Sequence, residues 1–175
     1  MPATNHCIYW STIEHDSWKL HIARTENGLC YVGSPEESYE EFTTYVKKRF
    51  PAATLEKNDE MLRDYVQELM VYLKGLRQEF SLPVDIQGTP FQQRTWRALK
   101  EIPYGQTFSY SEIADCIGGP TAVRAVATAI GANPLLITVP CHRVIGKNGA
   151  MSGYRGGLSF KRFLLELEAQ NSKEE

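Results

Sequence analysis

A cysteine and a histidine stand side by side in the second half of the chain, in the segment Pro140-Cys141-His142-Arg143. A thiol attacks carbon as the thiolate, which is favoured by an imidazole that accepts its proton and by nearby positive charge. A structural thiol beside a surface imidazole would give the same pair. The segment therefore indicates nucleophilic chemistry at Cys141 without establishing it.

The other three cysteines lack such neighbours. Cys116 follows a helical pattern that contains Ile113 and Ile117, and Cys30 lies in a predicted strand. We expect both to be core thiols, because a free cysteine in an apolar setting behaves as a small hydrophobic residue. Cys7 has no informative neighbours.

No sequence feature indicates a metal site or export. We expect four free thiols and a cytoplasmic protein without a membrane segment, because nothing resembles a signal peptide and the longest nearly uncharged stretch, 116–141, is interrupted by Arg124. The paired spacing of zinc ligands is missing from the first thirty residues. We therefore expect no metal, although four potential ligands lie there: His6, Cys7, His21 and Cys30.

Charge is distributed unevenly along a chain of ordinary globular composition. Residues 1–84 hold nine Lys and Arg against thirteen Asp and Glu, a balance of −4, whereas residues 85–170 hold nine against six, a balance of +3. A modestly basic second half is compatible with a polyanionic partner, but the excess is too small to identify nucleic acid.

The first half has the pattern of a small α/β domain. Residues 18–32 alternate apolar and polar positions around Asn27-Gly28, which predicts a β-hairpin. A helix is predicted from Ser34-Pro35-Glu36-Glu37, where a capping serine precedes proline and glutamate. A second helix is predicted from about Asp59 to Gly75.

The composition changes over residues 81–90, where Pro, Gly, Asp and Gln replace helical periodicity. We predict a first domain over 1–80, a linker over 81–90 and a mostly helical second domain over 91–175. Its first helix is predicted over about 89–102, and a capping box at Ser109 begins the next.

Gly118-Gly119-Pro120 separates that short helix from another over 121–130, a helix-turn-helix pattern. We expect Ala127 to face the core, and Ala122, Ala125 and Ala129 to form a surface that allows close approach to DNA. Alanine is also the best helix former, so the same pattern occurs in proteins that never contact DNA.

Five separated motifs give residues 89–168 a specific resemblance. They are Tyr104-Gly105 with Ser109-Tyr110, Arg124-Ala125-Val126, Asn133-Pro134, Pro140-Cys141-His142-Arg143-Val144, and Gly153-Tyr154-Arg155-Gly156-Gly157. In order and spacing this half resembles the O6-alkylguanine-DNA alkyltransferases, also called methylated-DNA protein-cysteine methyltransferases. The first half matches that family only in outline.

The resemblance implies an α/β N-terminal domain with a small antiparallel sheet, ribonuclease H-like in the family, and a mostly α C-terminal winged helix-turn-helix domain. It implies that Cys141 accepts the alkyl group, that His142 activates it through a water, and that Glu168 orients His142. This is the logic of a catalytic triad. Asn133 would brace the loop before Cys141.

The remaining implied roles concern DNA. Tyr110 would rotate the phosphate and contact the flipped guanine, and Arg124 would fill its place in the duplex from a helix in the minor groove. The other implied DNA or base contacts are Ala122, Ala125, Val144, Tyr154, Arg155 and Gly156. Many eukaryotic relatives have Ser at the position of Arg155, and zinc-binding relatives have more ligands where this chain keeps only Cys30.

The implied activity is single-turnover repair of O6-alkylguanine in double-stranded DNA by a monomer without cofactors, and activity on O4-alkylthymine stays open. Three alternatives stay open. An alkyltransferase-like binding protein would lack the acceptor thiol, a plain helix-turn-helix regulator would not need Cys141, and a thiol hydrolase would turn over repeatedly.

Overall fold

The computed structural model of the chain describes residues 6–151 and 153–172. Its residues divide into two units, 1–86 and 87–175. The first unit holds a four-stranded sheet and two helices, and the second holds four helices and a pair of two-residue strands.

Four strands form the sheet of the first unit in the order β3-β2-β1-β4. The predicted hairpin is confirmed as an antiparallel pair, and the strand before it extends the antiparallel part of the sheet. The fourth strand pairs in parallel with the first, so the complete sheet is mixed. The strands are β1 (Cys7–His15), β2 (Trp18–Thr25), β3 (Gly28–Val32) and β4 (Thr54–Lys57).

Two helices complete this unit, α1 (Tyr39–Arg49) and α2 (Asp59–Leu73). The second begins where the sequence predicts, but the predicted start of the first at Ser34 is wrong. Ser38 is the N-cap of α1 and forms a capping box with Glu41. The earlier sequence forms only a turn, in which the Ser34 hydroxyl accepts from the Glu36 N–H at 3.1 Å, and the Glu37 carboxylate accepts from the Tyr31 hydroxyl instead of closing a capping box.

The core of the first unit is largely aromatic and aliphatic. Phe42 of α1 stacks on His21 of β2 with ring centroids 5.0 Å apart, and Tyr31 lies against the same phenyl ring. Cys30 belongs to this buried cluster, as predicted. Burial and the charge of Asp85 raise the pKa of its thiol to about 12, so it stays protonated at neutral pH.

The second unit is mostly helical. A single 3₁₀ turn, Cys141–Arg143, joins its central loop to the last strand. Strands β5 (Phe108–Ser109) and β6 (Val144–Ile145) pair in parallel. The helices are α3 (Pro90–Lys100), α4 (Tyr110–Cys116), α5 (Val123–Gly131) and α6 (Leu158–Ser172).

The predicted helix pair is present as α4 and α5. Ser109 caps α4 through the predicted capping box with Glu112, and the two helices pack on each other. Two predicted orientations on α5 are wrong, because Ala129 is buried and Ala127 is exposed. The Ala129 carbonyl accepts a hydrogen bond of 2.9 Å from the Trp96 indole, which fixes that side of α5 against α3.

Cys116 also differs from the prediction, because it is exposed rather than a core thiol. It lies in the last turn of α4, where Ile113 and Ala114 take the buried positions. All four cysteines of the chain are free thiols.

Helix α6 buries a less apolar face than its sequence predicts. Phe160 and Leu164 are buried as expected, but Phe163 and Leu167 are only half-buried. The buried stripe is completed by two charged side chains, Lys161 and Glu168. No helix of the described residues is long and apolar enough to cross a membrane.

Candidate active site

Cys141 opens the 3₁₀ turn that follows Pro140. Its backbone N–H donates a 2.7 Å hydrogen bond to the Val139 carbonyl, which tightens the chain just before the thiol. The residue is only 4% exposed. A molecule that reacts with this sulfur must therefore be brought into the protein.

Asn133 holds the loop that leads to Cys141. Its side-chain amide donates to the carbonyls of Leu135 (3.2 Å) and Val139 (2.9 Å), and its side-chain oxygen accepts from the Leu135 N–H at 2.9 Å. Asn133 is 1% exposed, so these bonds satisfy polar groups that water does not reach. They fix the path of residues 133–139.

Glu168 reaches this turn from the last helix. Its carboxylate lies 2.6 Å from His142 Nε2 and accepts two bonds from the Arg143 guanidinium, at 2.7 and 3.0 Å. A fourth bond, 3.2 Å, comes from the Gly105 N–H. Burial acts to raise the pKa of this carboxyl, but the bonds and charges of His142 and Arg143 outweigh it and lower the pKa to about 2.

His142 is fully buried beside Cys141. Burial lowers the pKa of its imidazole, and the charges of Arg143 and Lys161 act in the same direction, whereas Glu168 opposes them. The net shift favours a neutral ring. A neutral ring bonded to an ionised carboxylate through Nε2 carries its proton on Nε2, which makes Nδ1 the basic nitrogen.

Arg143 ties three parts of the unit together. Besides Glu168 it bonds the Ile102 carbonyl at 2.7 Å, and its guanidinium carbon lies 5.6 Å from the centroid of the Tyr104 ring. It is 6% exposed. The sequence marked this residue only as positive charge near the thiol, and its pairing with Glu168 becomes visible only in the fold.

Opposing influences act on the Cys141 thiol. Burial is the largest and raises its pKa, while the Asn133 side chain and the charges of Arg155 and Lys161 lower it. The resting thiol therefore keeps its proton more firmly than a free cysteine. Its surroundings nevertheless contain one hydrogen-bonding group and two cations that stabilise the thiolate when it forms.

Lys161 is the site residue that sequence reasoning missed. It is 1% exposed, and its ammonium donates a 2.6 Å hydrogen bond to the Val144 carbonyl. Its Nζ also lies 5.9 Å from the centroid of the Tyr154 ring. The available signal was its spacing, because residues 161, 164 and 168 share one helix face and two of them are charged.

The segment 154–156 lies beside the thiol. Burial, with the charge of Cys141 next, raises the pKa of Tyr154 well above its ordinary value, and its hydroxyl is buried without a hydrogen-bond partner among the described residues. Arg155 donates a 3.1 Å bond to the Asn133 carbonyl. A Cβ at Gly156 would lie 2.5 Å from the Tyr154 ring and 3.2 Å from Leu136, so this close packing requires glycine.

The predicted DNA-contacting residues lie on the helix pair rather than in the buried cluster. Tyr110 begins α4 and is half-buried, and Ala122 is the half-buried N-cap residue of α5. Arg124 and Ala125 are exposed on α5. Val144 is instead buried in β6, three residues after Cys141.

The arrangement supports transfer of an electrophilic carbon to sulfur. A neutral imidazole can accept the thiol proton, and its orientation is fixed by an ionised, hydrogen-bonded carboxylate. Among the described residues, no group of three or more His, Cys, Asp or Glu side chains is placed to hold a metal ion. The residues that surround Cys141 thus supply a nucleophile, a base and positive charge.

Two family models match the chain almost end to end. The model described as the ribonuclease-like domain of 6-O-methylguanine DNA methyltransferase matches residues 8–86. The model described as the DNA binding domain of the same protein matches residues 90–170. The fold class predicted from the sequence, an α/β domain followed by a mostly helical one, is confirmed.

Individual relatives support the same family assignment as the two models. The inducible methylated-DNA–protein-cysteine methyltransferase of Bacillus subtilis is 53% identical over 167 residues, which cover 95% of this chain and 93% of that protein. The crystal structure of Mycobacterium tuberculosis O6-methylguanine methyltransferase superposes with a TM-score of 0.80 at 41% identity, covering 94% of both chains. A second structure of the mycobacterial protein, in complex with DNA, gives a TM-score of 0.77 at 40% identity, again with 94% of both chains covered. This chain belongs to the 6-O-methylguanine DNA methyltransferase family.

Proposed function

We propose that the protein repairs DNA by transferring the alkyl group of O6-alkylguanine to the sulfur of Cys141, once per molecule. The observation that carries the proposal is the buried set around this thiol. The next residue in the chain, the buried His142, is its base, Glu168 orients that base, and the cations of Arg155 and Lys161 lie within electrostatic reach of the thiol. Membership of the family supports the same reaction.

The step is a displacement at carbon. The bond from Sγ to the alkyl carbon forms while the bond from that carbon to guanine O6 breaks. The thiol proton passes through a water to His142, and the electron pair of the broken bond goes to the guanine. The guanine takes up one proton in place of the one that the thiol gave up, so that normal guanine is restored in the DNA and the net charge is unchanged. The product is a stable thioether, and each protein molecule is therefore consumed by one reaction.

The target base must leave the duplex before it reacts. Cys141 is 4% exposed, and a sulfur inside the protein cannot approach O6 of a stacked base in line with the breaking bond. Unstacking costs a few kcal/mol. In the proposal, Arg124 occupies the vacated place, Tyr110 turns the nucleotide, and the small side chains of Ala122 and Ala125 let α5 approach the minor groove.

The extruded base is placed against residues 154–156 and β6. Tyr154 and Gly156 pack closely together, which gives the pocket a wall without a side chain at residue 156. The backbone N–H groups of Arg155 and Gly156 are assigned to guanine O6, and Val144 to the opposite wall. Arg155 bonds Asn133, so the wall and the loop before Cys141 are held together.

The wider proposal follows the predicted organisation. A domain over 91–175 binds double-stranded DNA and accepts the alkyl group, and a linker over 81–90 joins it to the domain over 1–80. The protein acts in the cytoplasm as a monomer and needs no cofactor. O4-alkylthymine is included as a second substrate.

Intact mass spectrometry tests the reaction directly. The purified protein is mixed with a duplex that carries one O6-methylguanine, and the mass is followed with time. We expect one added methyl group per protein molecule, located in the peptide that contains Cys141. The remaining transfer activity should fall in proportion to the fraction of protein that has been methylated. Cys141→Ser should gain nothing, whereas Cys116→Ser, which removes an exposed thiol, should react as the parent does. An O4-methylthymine duplex examines the second substrate.

Two results would reject the proposal. A methyl group found on Cys7, Cys30 or Cys116 would place the acceptor elsewhere. Repeated release of product without any gain of protein mass would indicate a hydrolase instead of an alkyl acceptor.

A further inference from the structure

The carboxylate of Glu168 has all of its acceptor positions filled. Oε1 accepts from Arg143 Nε at 2.7 Å and from the Gly105 N–H at 3.2 Å. Oε2 accepts from Arg143 Nη2 at 3.0 Å and lies 2.6 Å from His142 Nε2. An ionised carboxylate offers about four lone-pair sites. These four donors use them, so the carboxylate has no position left for a proton of its own.

Arg143 contributes half of those bonds and places a full positive charge against Glu168, 2.7 Å from Nε to Oε1. Its planar guanidinium binds the carboxylate in two places and is itself anchored to the Ile102 carbonyl at 2.7 Å. A guanidinium stays charged at every accessible pH. The pair that faces His142 is therefore close to electrically neutral, although one of its members is an acid.

The consequence concerns the charge of the histidine. An unpaired buried carboxylate 2.6 Å from an imidazole would favour the imidazolium, because opposite charges attract strongly away from water. The charge of Arg143 offsets part of that attraction, in the same direction as burial, while leaving the hydrogen bond intact. Lys161 of α6 is a further positive charge that acts to lower the pKa of the ring, and Cys141 precedes the ring in the same turn. Burial raises the pKa of Tyr104 and of Tyr154, and the charge of Glu168 acts in the same direction on both hydroxyls.

We propose that Arg143 is a positioning residue whose charge offsets that of Glu168 and so, together with burial, keeps the resting His142 imidazole neutral, with its proton on Nε2. Nδ1 is then the nitrogen that receives the Cys141 proton during alkyl transfer. The part of this inference that concerns transfer rests on the proposed function. The part that concerns the charge and tautomer of His142 does not.

Nuclear magnetic resonance of the unreacted protein tests the second part without any substrate. Imidazole ¹⁵N shifts are recorded from pH 5.5 to 8, and the His142 signals are assigned by their loss in His142→Gln. We expect His142 to remain neutral and protonated on Nε2 at pH 5.5, which is below the ordinary pKa of an imidazole. A His142 ring that is charged at pH 7, or protonated on Nδ1, overturns the proposal.

Substitutions separate charge from packing. In Arg143→Gln the positive charge is lost, and we expect the pH at which the transfer rate falls to half to rise by at least about one unit, with most of the rate recovered at pH 8.5. Arg143→Lys keeps the charge but not the bidentate geometry, and its half-point should stay within about half a unit of the parent value. Arg162→Gln, at an exposed position of α6, should change neither the transfer rate nor the pH at which that rate falls to half.

A purely structural role for Arg143 predicts a different result. Both variants would then lose melting temperature and active fraction, and the rates would fall in parallel at every pH, which would contradict the proposal. If Arg143→Gln fails to fold, the ¹⁵N shifts of Arg143→Lys decide, because a variant that keeps the charge should leave His142 neutral at pH 7, and a charged ring there would contradict the proposal. If the protein transfers no alkyl group at all, the proposed function fails while the histidine measurement remains valid.

Discussion

The two units each bury a cysteine, and the comparison between them separates burial from reactivity. Cys30 and Cys141 are both 4% exposed. Around Cys30 the neighbours are hydrocarbon and aromatic groups, and burial together with the Asp85 charge raises the pKa of the thiol to about 12. Around Cys141 burial also raises the pKa, but the Asn133 side chain and the charges of Arg155 and Lys161 oppose it.

Burial together with a nearby negative charge therefore produces an inert thiol. The second unit differs because it also buries four ionisable side chains near its cysteine: His142, Arg143, Lys161 and Glu168. Removing charges from water is costly unless they are paired and hydrogen-bonded, and here each has a partner. The difference between the two thiols lies in the charged neighbours rather than in depth below the surface.

The largest expected effect comes from exchanging the two sulfurs in turn for groups that cannot react. Cys141→Ala should abolish methyl transfer completely, because the acceptor atom is gone. Cys30→Ala should keep a transfer rate within about twofold and lose on the order of 1 kcal/mol of stability through the smaller side chain. Single-turnover assays with a methylated duplex and urea unfolding measure both. A loss of transfer in Cys30→Ala would remove the contrast.

Lys161→Met should have the next largest effect. It keeps the length of the side chain and removes the buried charge, so the thiolate becomes less favourable. Each unit by which the pKa of Cys141 rises reduces the thiolate tenfold, and we expect transfer at pH 7.5 to slow by roughly 10- to 100-fold. The deficit should shrink as the pH is raised to 9. Lys147→Met, which alters an exposed lysine, is the matched comparison, and equal rates in the two variants would contradict the prediction.

Acid should destabilise the second unit through Glu168. Its folded pKa is lowered to about 2 from an ordinary value of 4.5, so the carboxylate contributes stability above pH 4.5 that is lost as the pH falls toward 2. The difference corresponds to about 3 kcal/mol. The lowered pKa of His142 acts in the same direction, because the unfolded chain takes up a proton below about pH 6.5 that the folded one refuses.

Urea unfolding between pH 7 and pH 3 measures this loss. Glu168→Gln should be less stable at pH 7 and should lose less stability on acidification than the parent. Glu166→Gln, at an exposed position two residues away, should follow the parent curve. Identical acid sensitivity in all three proteins would show that Glu168 does not control the transition.

The smallest expected effect concerns Asp85. Its charge is a secondary cause of the raised pKa of Cys30, after burial. Asp85→Asn should therefore change the rate at which iodoacetamide labels Cys30 in the folded protein by less than about threefold, and mass mapping of the labelled peptide follows it. Rapid labelling of Cys30 in this variant would mean that charge, and not burial, protects the first thiol.

Much of the fold follows from local sequence patterns. The hairpin at Asn27-Gly28, the start of α2 and the capping box at Ser109 are all local signals, and the structure contains each of them. Strand β4 carries no such signal, because its four residues are mostly exposed and it exists by pairing with β1. The start of α1 was misplaced because the contact between Tyr31 and Glu37 competes with a local cap.

The candidate site divides in the same way. Cys141 and His142 could be identified from adjacent residues and from the resemblance of their motif to the family. Lys161 could not, because a lysine in an amphipathic helix is usually solvated and only the tertiary structure provides its Val144 partner. Cys116 was misassigned because it is the last residue of α4, three positions after the buried Ile113, and helical spacing does not show that the buried part of the helix ends before it.

The exposure of Cys116 offers a practical route to observing the protein at work. A maleimide dye should attach there while Cys30 and Cys141 stay shielded, and Cys7→Ser would remove the half-buried thiol that could compete. The dye would sit at the end of α4, next to the turn that leads into α5. Fluorescence from this position would report helix-pair engagement on undamaged and damaged duplexes in real time, with the acceptor sulfur left unmodified.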